Sequence, residues 1–223
     1  MPTPLEYRAV LKRLSDTAVE TGIDVFTRLD GSPETRRAVL LESIPPLIDY
    51  YAAGSATLGS DAYDEEREAA AVRSSFTTDA VVADRTVKVR RAIAWSAAPL
   101  ILDPEDVVSA TARLAEIIQY EVARPFRDTV TTNRREDPES AGWRRISNGG
   151  CRFCRMLADR GAVYRESTAR FAAHTNCHCT AQPVFKTNVG EEASAIQYLA
   201  SRKNRTAKQK AELRDYLDMY YPE

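Results

Sequence analysis

The chain has little glycine, almost no histidine and few cysteines: nine, two and four residues among 223. No glycine-rich phosphate loop or dinucleotide fingerprint occurs, so the usual nucleotide-cradling motifs are excluded. The two histidines, His174 and His178, both lie in a cysteine cluster, and a Ser/His/Asp hydrolase would have to borrow one of them. No run of 18 apolar residues exists, which excludes a transmembrane helix. Met1-Pro2-Thr3-Pro4-Leu5-Glu6 lacks a basic segment followed by an apolar one, so no secretory signal is expected. Internal repeats and low-complexity tracts are missing too. What remains is ordinary: 43% hydrophobic and 28% charged residues, the composition of a folded globule. The length suits one domain, or one domain with a small satellite.

Charge is balanced overall at −1 but unevenly spread. Residues 141–190 carry eight basic side chains against Asp159 and Glu166, a net +6. Residues 191–223 are neutral, which leaves −7 for residues 1–140. A basic module on an otherwise acidic chain suits contact with acidic protein or phosphate, with Arg144, Arg145 and Arg170 as contact residues. Trp143 beside them could stack a base, although a tryptophan in such a place belongs more often to a core.

Most of the first 135 residues carry helical periodicity. Leu5, Val10, Leu11, Leu14 and Ala18 make one stripe, with Gly22 weakening its end. Ser32, Pro33 and Glu34 form a helix start. Pro45-Pro46 predicts a kink or restart. Leu47, Ile48, Tyr51, Ser55 and Leu58 continue on one face. Asp61 to Arg73 reads as an exposed helix whose acids, Asp61, Asp64, Glu65, Glu66 and Glu68, face water. Val81 to Leu102 reads as core-facing, with Trp95 near its middle. Asp103-Pro104-Glu105-Asp106 predicts a second start, capped by Asp103. The stripe Val107, Ala110, Leu114, Ile117, Ile118 and Val122 follows, and Pro125 should kink or end it. Residues 134–138 read as a polar linker. Short strands are expected at 143–147 and 181–185, the second confined to an edge by Pro183. A short helix is expected at 155–160 with Gly161 at its end, and two more helices at 191–203 and 207–220. The last begins with a capping box, Thr206-Ala207-Lys208-Gln209.

The strongest chemical signal is Cys151-Arg152-Phe153-Cys154 followed, nineteen residues on, by His174-Thr175-Asn176-Cys177-His178-Cys179. A CxxC turn presents two thiolates to one ion, and HxxCxC offers the rest of a tetrahedral set. This predicts a structural zinc held by four of Cys151, Cys154, Cys177, Cys179 and His174, with the all-cysteine set preferred. That set carries −2, which Arg152 and Arg155 beside it could offset. His174 would then pack next to the site. Four protein ligands close the site and disfavour metal catalysis.

The run Cys151 to Tyr164, then Phe171-Ala172-Ala173-His174 and Cys177 to Phe185, resembles the MuF-like minor capsid proteins of tailed phages, particularly the actinobacteriophage type. Arg127-Asp128-Thr129 and Gly142-Trp143 share that resemblance, as does the region from Phe76 through Trp95 to Leu100 more loosely. The similarity spans most of residues 35–186, and the motif matches at all five candidate ligands, whereas His178 stands where Arg is common. The resemblance implies a head-morphogenesis protein inside the head or at the portal vertex of the virion, made in the host cytoplasm. Its partners would be the portal protein, the major capsid protein, or both, with packaged DNA reached through residues 144–170 and no membrane. Related chains are sometimes labelled capsid maturation proteases. No protease constellation is visible here, so that reading, like a nucleic-acid-binding zinc module, is an alternative and no enzyme is expected. The fold expected is mainly α: a multi-helix domain over 1–137, a small zinc-stapled α+β module over 138–190, and a C-terminal helical tail over 191–223.

Overall fold

The computed structural model describes residues 2–147, 151–159, 164, 171, 173, 176–189 and 206–222. Among these, chain order runs α1 (Pro4–Thr27), α2 (Pro33–Ala69), α3 (Thr86–Ser96), α4 (Ala98–Leu102), α5 (Val107–Glu136), β1 (Ser140–Ile146), α6 (Arg152–Asp159), β2 (Thr180–Phe185) and α7 (Ala207–Tyr220). The fold is mainly α with one two-stranded sheet. The helix expected at 191–203, Gly161 and the turn Asn148-Gly149-Gly150 lie outside the described residues.

Local capping chemistry begins several helices. Ser32 accepts from the Thr35 N–H with Pro33 in the first turn, and Thr206 and Gln209 close the predicted capping box. A capping box at Thr3 and Glu6, not flagged in the sequence, starts α1. Other local expectations yield to packing. α1 passes through Gly22 to Thr27, because that glycine lies buried where Ile118 fills the space a side chain would need. α2 runs unbroken through Pro45 and Pro46, since Ile44 and Ile48 on either side are buried core residues. Their burial, at about 1.5–3 kcal/mol each, offsets much of the cost of an interior proline, about 3 kcal/mol. The segment expected to be an exposed helix is the last part of α2, and it buries Ala62, Tyr63 and Arg67. Asp103 does not cap α5: it ends α4, its carboxylate accepting from the Glu105 N–H in the turn, and α5 starts at Val107 under Asp106, whose carboxylate accepts from Ser109 N–H. Trp95 is half exposed rather than core-facing, as are Val82 and Ile101, whereas Val89, Ile93 and Leu100 are buried.

Pro125 does not end α5, which continues to Glu136. The Phe126 N–H next to it donates to the buried Ser55 hydroxyl of α2 at 3.2 Å. Residues 134–136, read as linker, are the last turn of α5, and Arg134 and Asp137 are buried.

α1, α2 and α5 form the body. Gly22 meets Ile118 and Ile44, and Ser55 and Gly59 meet Phe126, so α5 runs parallel to α2 and antiparallel to α1. One half of the core joins Phe26, Leu40, Ile44, Ile48, Ile93, Leu114 and Ile118. The other joins Tyr7, Leu11, Tyr63, Phe126, Val130, Trp143, Tyr164 and Phe185, taking residues from both sides of position 137. β1 and β2 pair antiparallel with Trp143 opposite Pro183, and the backbone of Trp143 also exchanges two hydrogen bonds with Tyr164. Trp143 is fully buried, stacked on Tyr164 at 4.2 Å.

Candidate metal centre

Cys154 lies on α6, and Cys177 and Cys179 stand where the chain enters β2. All three are buried and their sulfurs lie within 4.8 Å of one another. The i, i+2 spacing of Cys177 and Cys179 suits an extended segment, where alternate side chains share a face. Asn176 before them takes a left-handed conformation (φ 60°), which asparagine tolerates better than most residues. The Cys154 and Cys177 sulfurs are 3.7 Å apart. That is far from a disulfide, and it matches the edge of a tetrahedron around an ion with thiolate bonds of about 2.3 Å, an edge of about 3.8 Å. The donor set therefore fits a metal ion.

The trio hangs from α5 by two side chains two turns apart. Gln119 donates to the Cys177 carbonyl at 3.2 Å and accepts from the Asn176 N–H at 3.0 Å. Arg127, 2% exposed, donates through Nε to the Cys179 carbonyl at 2.8 Å and through Nη2 to the Cys177 carbonyl. A second guanidinium, that of Arg145 on β1, points at the sulfurs of Cys154 and Cys177 from 3.9 and 4.0 Å. Phe171 lies against both cations, 3.9 Å from Arg145 and 4.9 Å from Arg127 to the ring centre.

The thiols share their protons unequally. Hydrogen bonds from Cys154 and Cys179, with Arg127 nearby, hold Cys177 well below the ordinary thiol range. The bond to Cys177 pushes Cys154 up. A cluster poised to carry a thiolate is a cluster prepared to ligate.

Of the five predicted ligands, the structure brings together Cys154, Cys177 and Cys179. Cys151, one turn before Cys154, is exposed and outside the trio, and His174 lies outside the described residues. His178 faces α1, with Lys12, Asp16 and Arg8 as its charged neighbours, and burial lowers its pKa. Arg152 and Arg155, expected to balance the site, also reach the C-terminal segment: Arg152 pairs with Asp218 of α7, and Arg155 donates to the carbonyls of Tyr221 and Pro222 just after it. Arg145, expected as a surface contact, is buried at 5% exposure. Gln119 went unnoticed in the sequence, although a polar residue inside the stripe Leu114, Ile118, Val122 was the available signal.

No helix among the described residues is long and apolar enough to cross a membrane. A family model described as VG15 protein matches residues 4–205. No curated protein and no solved structure matches the chain.

Proposed function

The chain belongs to the VG15 protein family, a phage-associated family, and from that premise we propose that it is a minor capsid protein of head morphogenesis with a structural zinc. The observation that carries the reading is the enclosure of the sulfur trio. Its thiols are buried, and the carbonyls of Cys177 and Cys179 are tied to α5. Sulfur donors favour zinc among common divalent ions, and a site closed by protein ligands stabilises structure rather than activating water. Here the ion would staple α6 and the start of β2 beside α5. The fourth ligand comes from Cys151 or His174.

In this reading the helical body packs against the portal or major capsid protein, inside the head or at the portal vertex. Packaged DNA is a further contact of the exposed basic residues within 144–170, a set that no longer includes Arg145. The protein is not an enzyme.

Protein purified under reducing conditions should contain about one zinc per chain by elemental analysis, and purified virions should contain the chain near the portal vertex or inner shell. A metal-free preparation would remove the zinc, and virions without the protein would remove the capsid assignment. Specific cleavage of unprocessed capsid protein would replace this reading with the protease.

A further inference from the structure

We propose that the outward face of α3 is a DNA-binding surface, on which Lys88 and Arg91 meet phosphates and Trp95, steadied by Arg113 of α5, packs against a base or sugar. The proposal adds a surface to the reading above and rests on it for the presence of DNA.

Residues 85–102 hold four basic side chains and no acidic one. Two of the four are engaged: Glu121 holds Arg85 through both oxygens, and Arg90, though exposed, donates to the Leu41 carbonyl at 2.8 Å. The other two, Lys88 and Arg91, are exposed. α3 turns Val89, Ile93 and Ser96 into the core. Val87, Arg91 and Trp95, at four-residue spacing, therefore lie on the opposite side, with Lys88 beside them. The acids that come nearest along the chain are Asp84, Asp103 and Asp106, which accept from backbone N–H groups of their own turns, and Glu42, Glu105 and Glu116. Residues 1–140 carry −7 in all, so the attraction belongs to this face alone and acts within a Debye length of about 10 Å.

Trp95 is 51% exposed, yet it is held in place. The Arg113 guanidinium lies over its ring, 4.4 Å from the centre, and donates to the Trp95 carbonyl at 3.4 Å. An indole fixed before a partner arrives lowers the ordering cost of binding. An aromatic ring in line with cations is the arrangement that binds nucleic acid without reading its sequence. From Val87 to Trp95 the face is about 12 Å long, the span of three or four phosphates along one strand at about 3.4 Å each. The described cations of 144–170 are less available: Arg145 is buried, and Arg152 and Arg155 reach the C-terminal segment.

Fluorescence of the full chain provides the test, because Trp143 is buried against Tyr164 and Trp95 alone is exposed. The probes are a short duplex and a short single strand of DNA. Both should quench Trp95, the single strand more deeply, since its bases are free to stack. Trp95→Ala should weaken single-strand binding, read by anisotropy of a labelled strand, about 5- to 150-fold, and duplex binding less. The double variant Lys88→Gln, Arg91→Gln should weaken both probes and reduce the slope of log K against log salt by about 1.4 to 1.8. Circular dichroism checks folding, and if Trp95→Ala does not fold, the double variant of two exposed side chains decides alone. DNA affinity unchanged in both variants overturns the α3 surface while leaving a contact through 144–170 standing. A parent chain that binds neither probe removes DNA as a contact altogether, whereas the capsid assignment is decided separately by the content of virions. Polyglutamate bound as tightly as the single strand would make an acidic protein the occupant and overturn nucleic acid.

Discussion

Gly59 marks a close approach of α2 to α5. A Cβ there would stand 2.9 Å from the Phe126 carbonyl oxygen and 3.0 Å from its Cα, both backbone atoms of a helix that cannot give locally. Gly59→Ala should destabilise by about 1–3 kcal/mol through overpacking, more than the gain of about 1 kcal/mol in helix propensity. Gly54→Ala, whose new methyl would meet only the Leu14 side chain at 3.9 Å, should be neutral or slightly stabilising. Thermal denaturation of the two variants side by side checks the contrast. Further along α2, Arg67 and Tyr63 converge on the buried carboxylate of Asp137, at 2.9 and 3.2 Å. Asp137→Ala leaves Arg67 without that partner and should cost about 3–5 kcal/mol in denaturant unfolding. Glu66 shows the opposite electrostatics. Burial raises its pKa, partly countered by the hydrogen bond from Gln182 and by Arg144. A raised carboxyl pKa means that the folded state holds the proton more tightly than the unfolded one, so stability falls as pH rises through that folded value. Glu66→Gln should remove this slope, and the variant should gain on the parent between acid and neutral pH. Equal pH dependence of the two would contradict it.

Along single elements, what the sequence made legible was whatever acts within three or four residues. The caps at Ser32 and Thr206 are of that kind, and so is the CxxC turn leading to α6. The same local logic went too far in expecting a break at the prolines: Pro45, Pro46 and Pro125 all sit inside helices that packing holds together. The acidic run on α2 read as a solvated face because nothing local reveals that Tyr63 and Arg67 meet a carboxylate 70 or more positions away. The cysteines were legible by spacing, whereas Arg145 read as surface charge because its partners lie on α6 and at the entry to β2. A further element escaped notice. Residues 79–81 have no regular structure of their own, yet α5 holds them as a second strand would. The Asn133 amide donates to the Asp79 carbonyl and accepts from its N–H, and Thr129 accepts from Val81 N–H, each within 2.9 Å. Asn133→Ala should free this segment, and hydrogen exchange at the Asp79 and Val81 amides should quicken while exchange in the middle of α5 stays slow.

For the whole molecule, the two core halves predict an uneven response to metal loss. Chelation should loosen the strand pair and α6 while α1, α2 and the first half of α5 keep their helicity, because that half of the core contains no residue beyond Val122. Tryptophan fluorescence reports it directly. Trp143 is buried against Tyr164 and should shift to the red, whereas Trp95 is already half exposed and should hardly change. A cooperative collapse of all helical signal on chelation would contradict that separation. The core half that unites Tyr7 with Phe185 also imposes a wait. During synthesis at about 5–20 residues per second, roughly 10 to 35 seconds separate the appearance of these two side chains. Collapse of a chain takes microseconds. For about two thirds of that interval Tyr7 and Leu11 lack even Phe126, and for all of it they lack Phe185. A growing chain with half a core is a sticky one, and its yield in a crowded cell depends on how quickly the ribosome delivers the final strand.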